Sequence, residues 1–343
     1  MASFRIFSQG DILSLVNKRD GETKLGEKVD FYRDSASESS EEAISVKNLQ
    51  NSSAKFVLLG IPEDIGVRAN FGIGGANTAW KPALKSLINL QQNALLKGED
   101  ILVLGEFEIP DNPTADISAL RRSVAEIDDL VYPIIQTIVE AGKTPIVIGG
   151  GHNNCYPIIK GISLALKTKI SVLNIDAHTD LRSPNEGRHS GNGFSTAIKD
   201  GFLGQYSILG LHQNYVSDAQ LDFIIKNEDI KAAYFDDFLK TEQDIVEYAK
   251  TSIKSLKSPL GLEIDLDSIS NILSSATTPT GFSLNEIRKL LLSLQKDFCY
   301  LHICEGAYKL KDGRKDETIG KTIAYLVSDF IKRSQLSQSS SSS

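Results

Sequence analysis

Between residues 55 and 333, short apolar runs alternate with longer amphipathic ones. The short runs are KFVLLGI, DILVLGE, TPIVIGG, ISVLNIDA, YSILGL, IKAAYFD, PLGLEIDLD and FCYLHICE. Most are apolar throughout, as expected for strands covered on both faces of a parallel sheet. Helical periodicity predicts helices over 118–141, 217–227, 242–255, 284–295 and 318–332, with Ser283 and Glu286 spaced as a capping box at the start of the fourth. This alternation predicts a doubly wound α/β fold: one three-layer α-β-α domain, residues 55–333, around a mainly parallel, roughly eight-stranded sheet. Residues 1–54 are polar and weakly periodic and read as a partly irregular arm, with DSASESSEE as a solvated loop. The Ser-rich segment 334–343 reads as a disordered tail.

Composition narrows the classes. With 343 residues, 41% of them hydrophobic and 24% charged, the chain has ordinary globular proportions and enough apolar material for a sizeable core. A net charge of −7 argues against a nucleic-acid or anionic-membrane partner. No window approaches the ~20 apolar residues that a membrane-spanning helix needs, and MASFRIFSQGDILSLVNKRD lacks the basic-then-apolar pattern of a signal peptide. Three cysteines, Cys155, Cys299 and Cys304, suggest reduced thiols and a cytoplasmic setting.

In doubly wound sheets the active site lies beyond the carboxyl ends of the strands. Three such ends carry chemistry. IVIGGGHNNCYP (146–157) places His152 in a glycine-rich turn. NIDAHTDLR (174–182) carries Asp176, His178 and Asp180. GLEIDLDSI (261–269) carries Asp265 and Asp267. In an extended chain residues i, i+2 and i+4 point to one side, so each triplet or pair can converge on a point. A lone Asp after a strand is usually a turn former or a helix cap, and a lone His is usually structural. Three strand ends sharing the pattern outweigh those readings. Four carboxylates brought together without positive charge are prohibitively costly, and two divalent ions would balance them. An oxygen-rich set with some imidazole suits Mn²⁺ better than a thiolate-selecting zinc site, with other divalent metals open.

These segments resemble the three metal-binding motifs of the ureohydrolases, the arginase–agmatinase–formimidoylglutamase family. The resemblance runs from about Phe56 to Ile331 and takes in GIPEDIGVRANFGIGGANTAW (60–80), SGNGF (190–194), TPTGFSLNE (278–286) and ICEGAY (303–308). It implies an arginase-like fold and two Mn²⁺ per subunit. One ion would be held by His152, Asp176, Asp180 and Asp265, the other by Asp176, His178, Asp265 and Asp267, with Asp176 and Asp265 bridging. It further implies hydrolysis of an amidine or guanidine by a water activated between the metals, with Asp180 as proton shuttle and Glu305 holding the cationic group. Assembly into a trimer or hexamer follows from resemblance alone.

Departures from arginase bear on the substrate. Phe194 stands where arginases carry a proton-transfer His, so His189 is the nearby candidate for that role. The Asp-Pro that usually ends the D-x-D motif is absent, and Glu-Gly-Ala-Tyr replaces Glu-Val-Asn-Pro. Arg182 and Arg188 follow the metal motif, and Arg68 and Asn70 sit in the first pocket loop. With Ser190 and Asn192 these are the expected substrate-binding residues. Arginine forks bind carboxylates bidentately, so the set fits N-formimidoyl-L-glutamate, cleaved to glutamate and formamide in histidine breakdown. Arginase or another guanidino-acid hydrolase is the alternative, then agmatinase. A non-enzyme alternative is a catalytically impaired family member acting as a binding or scaffold protein.

Overall fold

The computed structural model describes residues 2–33, 44–111, 115–241 and 244–339. The DSASESSEE segment and residues 340–343 lie outside them. Among the described residues, ten strands form one sheet: β1 (Ser3–Ile6), β2 (Asp30–Phe31), β3 (Phe56–Gly60), β4 (Ile101–Glu108), β5 (Thr144–Ile148), β6 (Ile170–Ile175), β7 (Leu203–Leu211), β8 (Ile230–Tyr234), β9 (Leu260–Asp265) and β10 (Tyr300–Cys304). Their order is β1-β4-β3-β5-β10-β9-β6-β7-β8, with β2 also against β4. Every pairing is parallel except β1 with β4.

The uniformly apolar runs become strands because helices cover both faces. Leu58, Val103, Ile148, Ile175, Ile264 and Ile303 share one buried cluster with the helices Trp80–Ile88, Ile245–Ser255, Leu284–Ser293 and Ile319–Ser339. Val57, Leu102, Val147, Val172, Ile208 and Tyr300 share the other with Ile117–Glu140, Cys155–Leu166 and Gly193–Lys199. Alternate residues of each strand thus feed opposite layers. The capping box forms as spaced: Glu286 N donates to Ser283 Oγ at 3.2 Å and Ser283 N to Glu286 Oε2 at 2.7 Å.

All eight predicted strands are present. The first two were not predicted: β1 and β2 are short, half-exposed edge elements in the polar arm, ordered by pairing with β4 rather than by their own periodicity. Phe235 and Asp236, read as strand, begin a helix, Phe235–Thr241. The last helix runs to Ser339, so the backbone of 334–339 is helical where a disordered tail was expected. A helix already nucleated on buried residues extends at little cost through a stretch free of Gly and Pro. No helix among the described residues is long and apolar enough to cross a membrane.

The order of the sheet positions the site. On one side the chain lays down β3, then β4 outside it and β5 inside it; on the other it winds outward from β6 through β7 to β8, and β9 and β10 fill the gap between β5 and β6 last. The carboxyl ends of the neighbours β5, β10, β9 and β6 therefore meet at the topological switch point, where ligands bind in open α/β sheets.

Candidate metal centre

After β5 the chain turns through Gly149 and Gly150 at φ +89° and +80°, a conformation glycine adopts freely. A Cβ on Gly150 would sit 2.4 Å from Asn154 Nδ2 and 2.8 Å from the Ile61 carbonyl. The turn folds around buried Glu63, whose carboxylate accepts Gly66 N (3.0 Å), Gly151 N (2.9 Å) and Asn154 Nδ2 (2.6 Å). This lodges His152 at the start of a single helical turn, pointing across the ends of β9 and β6.

The six expected ligands do come together, but not by strand alternation. β6 stops at Ile175, and 176–180 is an irregular turn with Asp180 at φ +50°. Asp176 Oδ1 accepts His178 N at 2.7 Å and Oδ2 accepts Asn174 Nδ2 at 2.8 Å. Asp265 ends β9, and its Oδ1 accepts Asp267 N at 2.9 Å across a one-turn helix. Carboxylate-capped turns, not pleats, bring the side chains round.

His152 Nδ1 lies 3.2 Å from Asp176, 2.9 Å from Asp180 and 3.1 Å from Asp265. His178 Nδ1 lies 3.1 Å from Asp267 and 3.7 Å from Asp176. These form two groups, His152/Asp176/Asp180/Asp265 and Asp176/His178/Asp267, each with ligand atoms within 4.8 Å of one another. Burial opposes charge on His152, but the surrounding acidic groups win and its pKa lies well above the usual value; His178 behaves alike. Burial and Asp267 push Asp265 well up. Burial, with Asp176 beside it, raises Asp180. Two protonated imidazoles still leave four carboxylates undercompensated. Both ring nitrogens of His152 and Asp267 Oδ1 also lack hydrogen-bond partners. The donor set fits two divalent oxygen-seeking cations, which would neutralise the carboxylates.

A cavity of about 260 Å³ opens onto this cluster. Its walls include Asn70, Asp180, Arg182, Ser190, Asp265, Asp267 and Glu305. Among the described residues, Arg182 is the one Arg or Lys lining it. Asn70 Nδ2 donates to Ser190 Oγ at 3.3 Å. Glu305, directly after β10, accepts His152 N at 2.8 Å, and burial pushes its carboxyl up to about 8.

The other expected residues are engaged elsewhere. Arg68 pairs with Asp64 (2.8 Å) and Asp111 (2.6 Å). Arg188 is buried against Asp128 (2.8 Å), lies over the Tyr156 ring, and donates to Asn192 Oδ1 and the Asn153 carbonyl. Asn192 spends its Nδ2 on the carbonyls of Ser183 and Gly187. His189 is buried, its Nδ1 accepting Gly191 N at 3.1 Å, and burial and Arg121 lower its pKa to about 4. None of these four lines the cavity. Arg68 and Arg188 therefore support the loops instead of offering carboxylate forks, and His189 is not placed to relay protons there. Phe194 is likewise buried, stacked on Tyr206 with its edge on His152. Asp128→Ala should destabilise the chain by about 3–5 kcal/mol, because it strands a buried guanidinium; denaturant melts check this, and an unchanged midpoint would contradict it.

Sequence reading missed Tyr215, Gln220 and Ser275 on the cavity wall. Tyr215 stacks on His178 (ring centroids 5.0 Å apart) and on His212 (5.6 Å), and Gln220 donates to Thr179 Oγ1 at 2.7 Å. The signal was available: Tyr215 follows β7, and the strand-end rule applies there as it does after β6.

A parallel α/β sheet with a paired-cation centre at its switch point defines the class as binuclear metal-binding α/β proteins. The chain belongs to the arginase family, whose match covers residues 54–326. Over 160 residues it is 36% identical to a formimidoylglutamase of Geobacillus sp., covering 46% of this chain and 45% of that protein; the chain spans about half the length of the curated relatives it matches. Formimidoylglutamase from Bacillus subtilis superposes with a TM-score of 0.70 at 15% identity, covering 94% of this chain and 95% of that one. Trypanosoma cruzi formiminoglutamase with Mn²⁺ superposes with a TM-score of 0.67 at 16% identity, covering 85% and 98%. At these identities the superpositions show the shared fold.

Proposed function

We propose that the chain is a binuclear manganese hydrolase that cleaves N-formimidoyl-L-glutamate to L-glutamate and formamide. One observation carries the reading: a cavity lined by three metal-type carboxylates, Asp180, Asp265 and Asp267, by Glu305, and, among the described residues, by a single cation, Arg182. That polarity complements a small molecule with a cationic amidine at one end and carboxylates at the other. The curated relative named above supports the substrate and the Mn²⁺-bearing structural neighbour the metal. The buried Phe194 at the position of the arginase proton-transfer His argues against arginine. Cytoplasmic location and a homo-oligomer belong to the same reading; three unpaired thiols support the former, and light scattering tests the latter.

When bound, the metal pair would offset the four carboxylates and acidify a water so that a nucleophile exists at neutral pH. Asp180 faces the cavity and is already in contact with His152 at 2.9 Å. That position suits it to take a proton released at the cluster and return it to the departing nitrogen. The carboxyl of Glu305 is drawn into its charged form by the amidinium and holds that group against the cluster. Arg182 clamps one substrate carboxylate, and the neutral donors Asn70, Ser190 and Gln220 meet the other. The pocket thus uses one arginine where the sequence suggested several.

Formamide and urea release from N-formimidoyl-L-glutamate, arginine and agmatine with added Mn²⁺ tests the proposal. Rapid urea release with formimidoylglutamate inert would overturn the substrate assignment. Arg182→Ala should raise KM about 10- to 100-fold, the loss of one charge-assisted hydrogen-bonded pair, with metal content unchanged. Unaltered kinetics would remove Arg182 from the substrate.

A further inference from the structure

Directly beneath the ligands, one rung of the sheet is polar where its neighbours are apolar. Glu263 on β9 is in register with His302 on β10 and with Asn174 on β6. All three are fully buried. The Glu263 carboxylate accepts Tyr300 Oη at 2.6 Å on one oxygen and meets His302 Nδ1 at 2.6 Å on the other. That second oxygen also lies 3.5 Å from Nε2 of His152, the ring nitrogen facing away from the Asp cluster.

We infer that Glu263 is a positioning residue that holds His152 with Nε2 protonated and Nδ1 bare, aimed at Asp176, Asp180 and Asp265, and so sets the affinity of one metal position only. The chemistry is that of a carboxylate–histidine–metal relay, in which a carboxylate behind the ring selects the tautomer and strengthens the ligand. Glu263 supplies the carboxylate oxygen behind the ring, with the Cys304 sulfur in the same cluster, while the three Asp oxygens crowd Nδ1. Tyr300 and His302 fix the carboxylate from behind, so it is anchored on the rigid centre of the sheet instead of on a loop. His152, Glu263, His302 and Cys304 also sit close enough to suggest a metal site of their own. Within it, Glu263 is held by Tyr300 and His302, His302 Nε2 faces the Gly149 carbonyl, and Cys304 Sγ donates to the Ile264 carbonyl, which leaves His152 Nε2 for Glu263 to orient and makes the cluster a support for the ligand in front of it.

The inference rests on the reading of His152 as a ligand, so the test carries a control for that reading. Full-length metal-free protein is titrated with Mn²⁺ alone, followed by calorimetry and by the spin-resonance signal of free Mn²⁺. Wild type should bind two equivalents. Glu263→Gln keeps the shape, and both Tyr300 and His302 can exchange donor and acceptor roles with an amide. It should weaken one equivalent about 10- to 100-fold and leave the other at wild-type affinity, a selectivity that a general loss of packing would not produce. Glu263→Asp, which keeps the charge but withdraws it by one methylene, should show the same selective loss to a smaller degree and serves if the amide variant does not fold. Wild-type affinity for both equivalents in the Gln or Asp variant, equal weakening of both, or a third equivalent in wild type that the Gln variant loses, would each overturn the inference. Asp176→Ala, run beside them, separates the failures. If it loses both equivalents while Glu263→Gln keeps both, only the positioning role fails. If it keeps both, the ligand reading fails and this inference with it.

Discussion

Asp176→Ala should abolish binding of both metal ions and lower kcat/KM by at least about 1000-fold, roughly 4 kcal/mol of lost transition-state stabilisation. The expectation follows from position. Asp176 belongs to both ligand groups, its Oδ2 3.2 Å from His152 and its Oδ1 3.7 Å from His178. Both oxygens are held in those directions, Oδ1 by His178 N and Oδ2 by Asn174 Nδ2. Asp180 and Asp267 each belong to one group, so Asp180→Ala and Asp267→Ala should each cost one ion. A melt gives an independent readout. A chelator should lower the melting temperature of metal-loaded wild type, since a ligand that binds only the native state stabilises it by mass action. It should leave Asp176→Ala unmoved. Two tightly bound ions in that variant, by elemental analysis, would contradict the shared role.

The contrast between these ligands and the expected substrate residues shows where sequence is informative. The eight apolar strands and the residues just past their ends are local features, and the sheet does the rest by bringing β5, β10, β9 and β6 side by side. The ligands were therefore legible without knowledge of the turns that aim them, although the aiming differs from the pleat argument: Asp180 reaches the cluster through a left-handed backbone, not along a strand. The arginines were not legible in this way. Whether a guanidinium faces a cavity or a carboxylate depends on partners remote in sequence. Arg188 meets Asp128, 60 residues earlier, and Arg68 meets Asp111, 43 residues later. Of the three expected arginines, Arg182, whose backbone N is tied to the Gly191 carbonyl, is the one on the cavity wall. Glu263 and His302 were hidden for the opposite reason. They lie inside runs that read as ordinary buried strand, and a charged residue in the middle of such a run was the available sign that burial there needed a partner.

Glu305→Gln should lower kcat/KM for the amidine substrate by about 100- to 1000-fold while both metal ions remain bound. Glu305 takes a left-handed backbone at φ +63° immediately after β10, a costly conformation for a non-glycine residue that persists where the surroundings enforce it. Its N donates to the Gly150 carbonyl and its carboxylate accepts His152 N. It thus ties the two strand-end loops together and presents a second oxygen to the cavity. Gln keeps the shape and the bond to His152 N but removes the negative charge. The loss therefore falls on recognition of the cation, which leaves a partner buried without its counter-charge, an effect of about 3–4 kcal/mol. The same substitution carries a pH signature in chelated protein. The folded-state pKa, about 8, lies above the ordinary carboxyl value of 4.5. The stability that this group contributes is therefore fully present below about 4.5 and is lost as pH rises towards 8. Wild type should accordingly fall behind Glu305→Gln in denaturant melts across that window and hold a constant deficit above it. A pH-independent difference would show that the carboxyl is not held in its neutral form by burial, and undiminished turnover would remove Glu305 from the reaction.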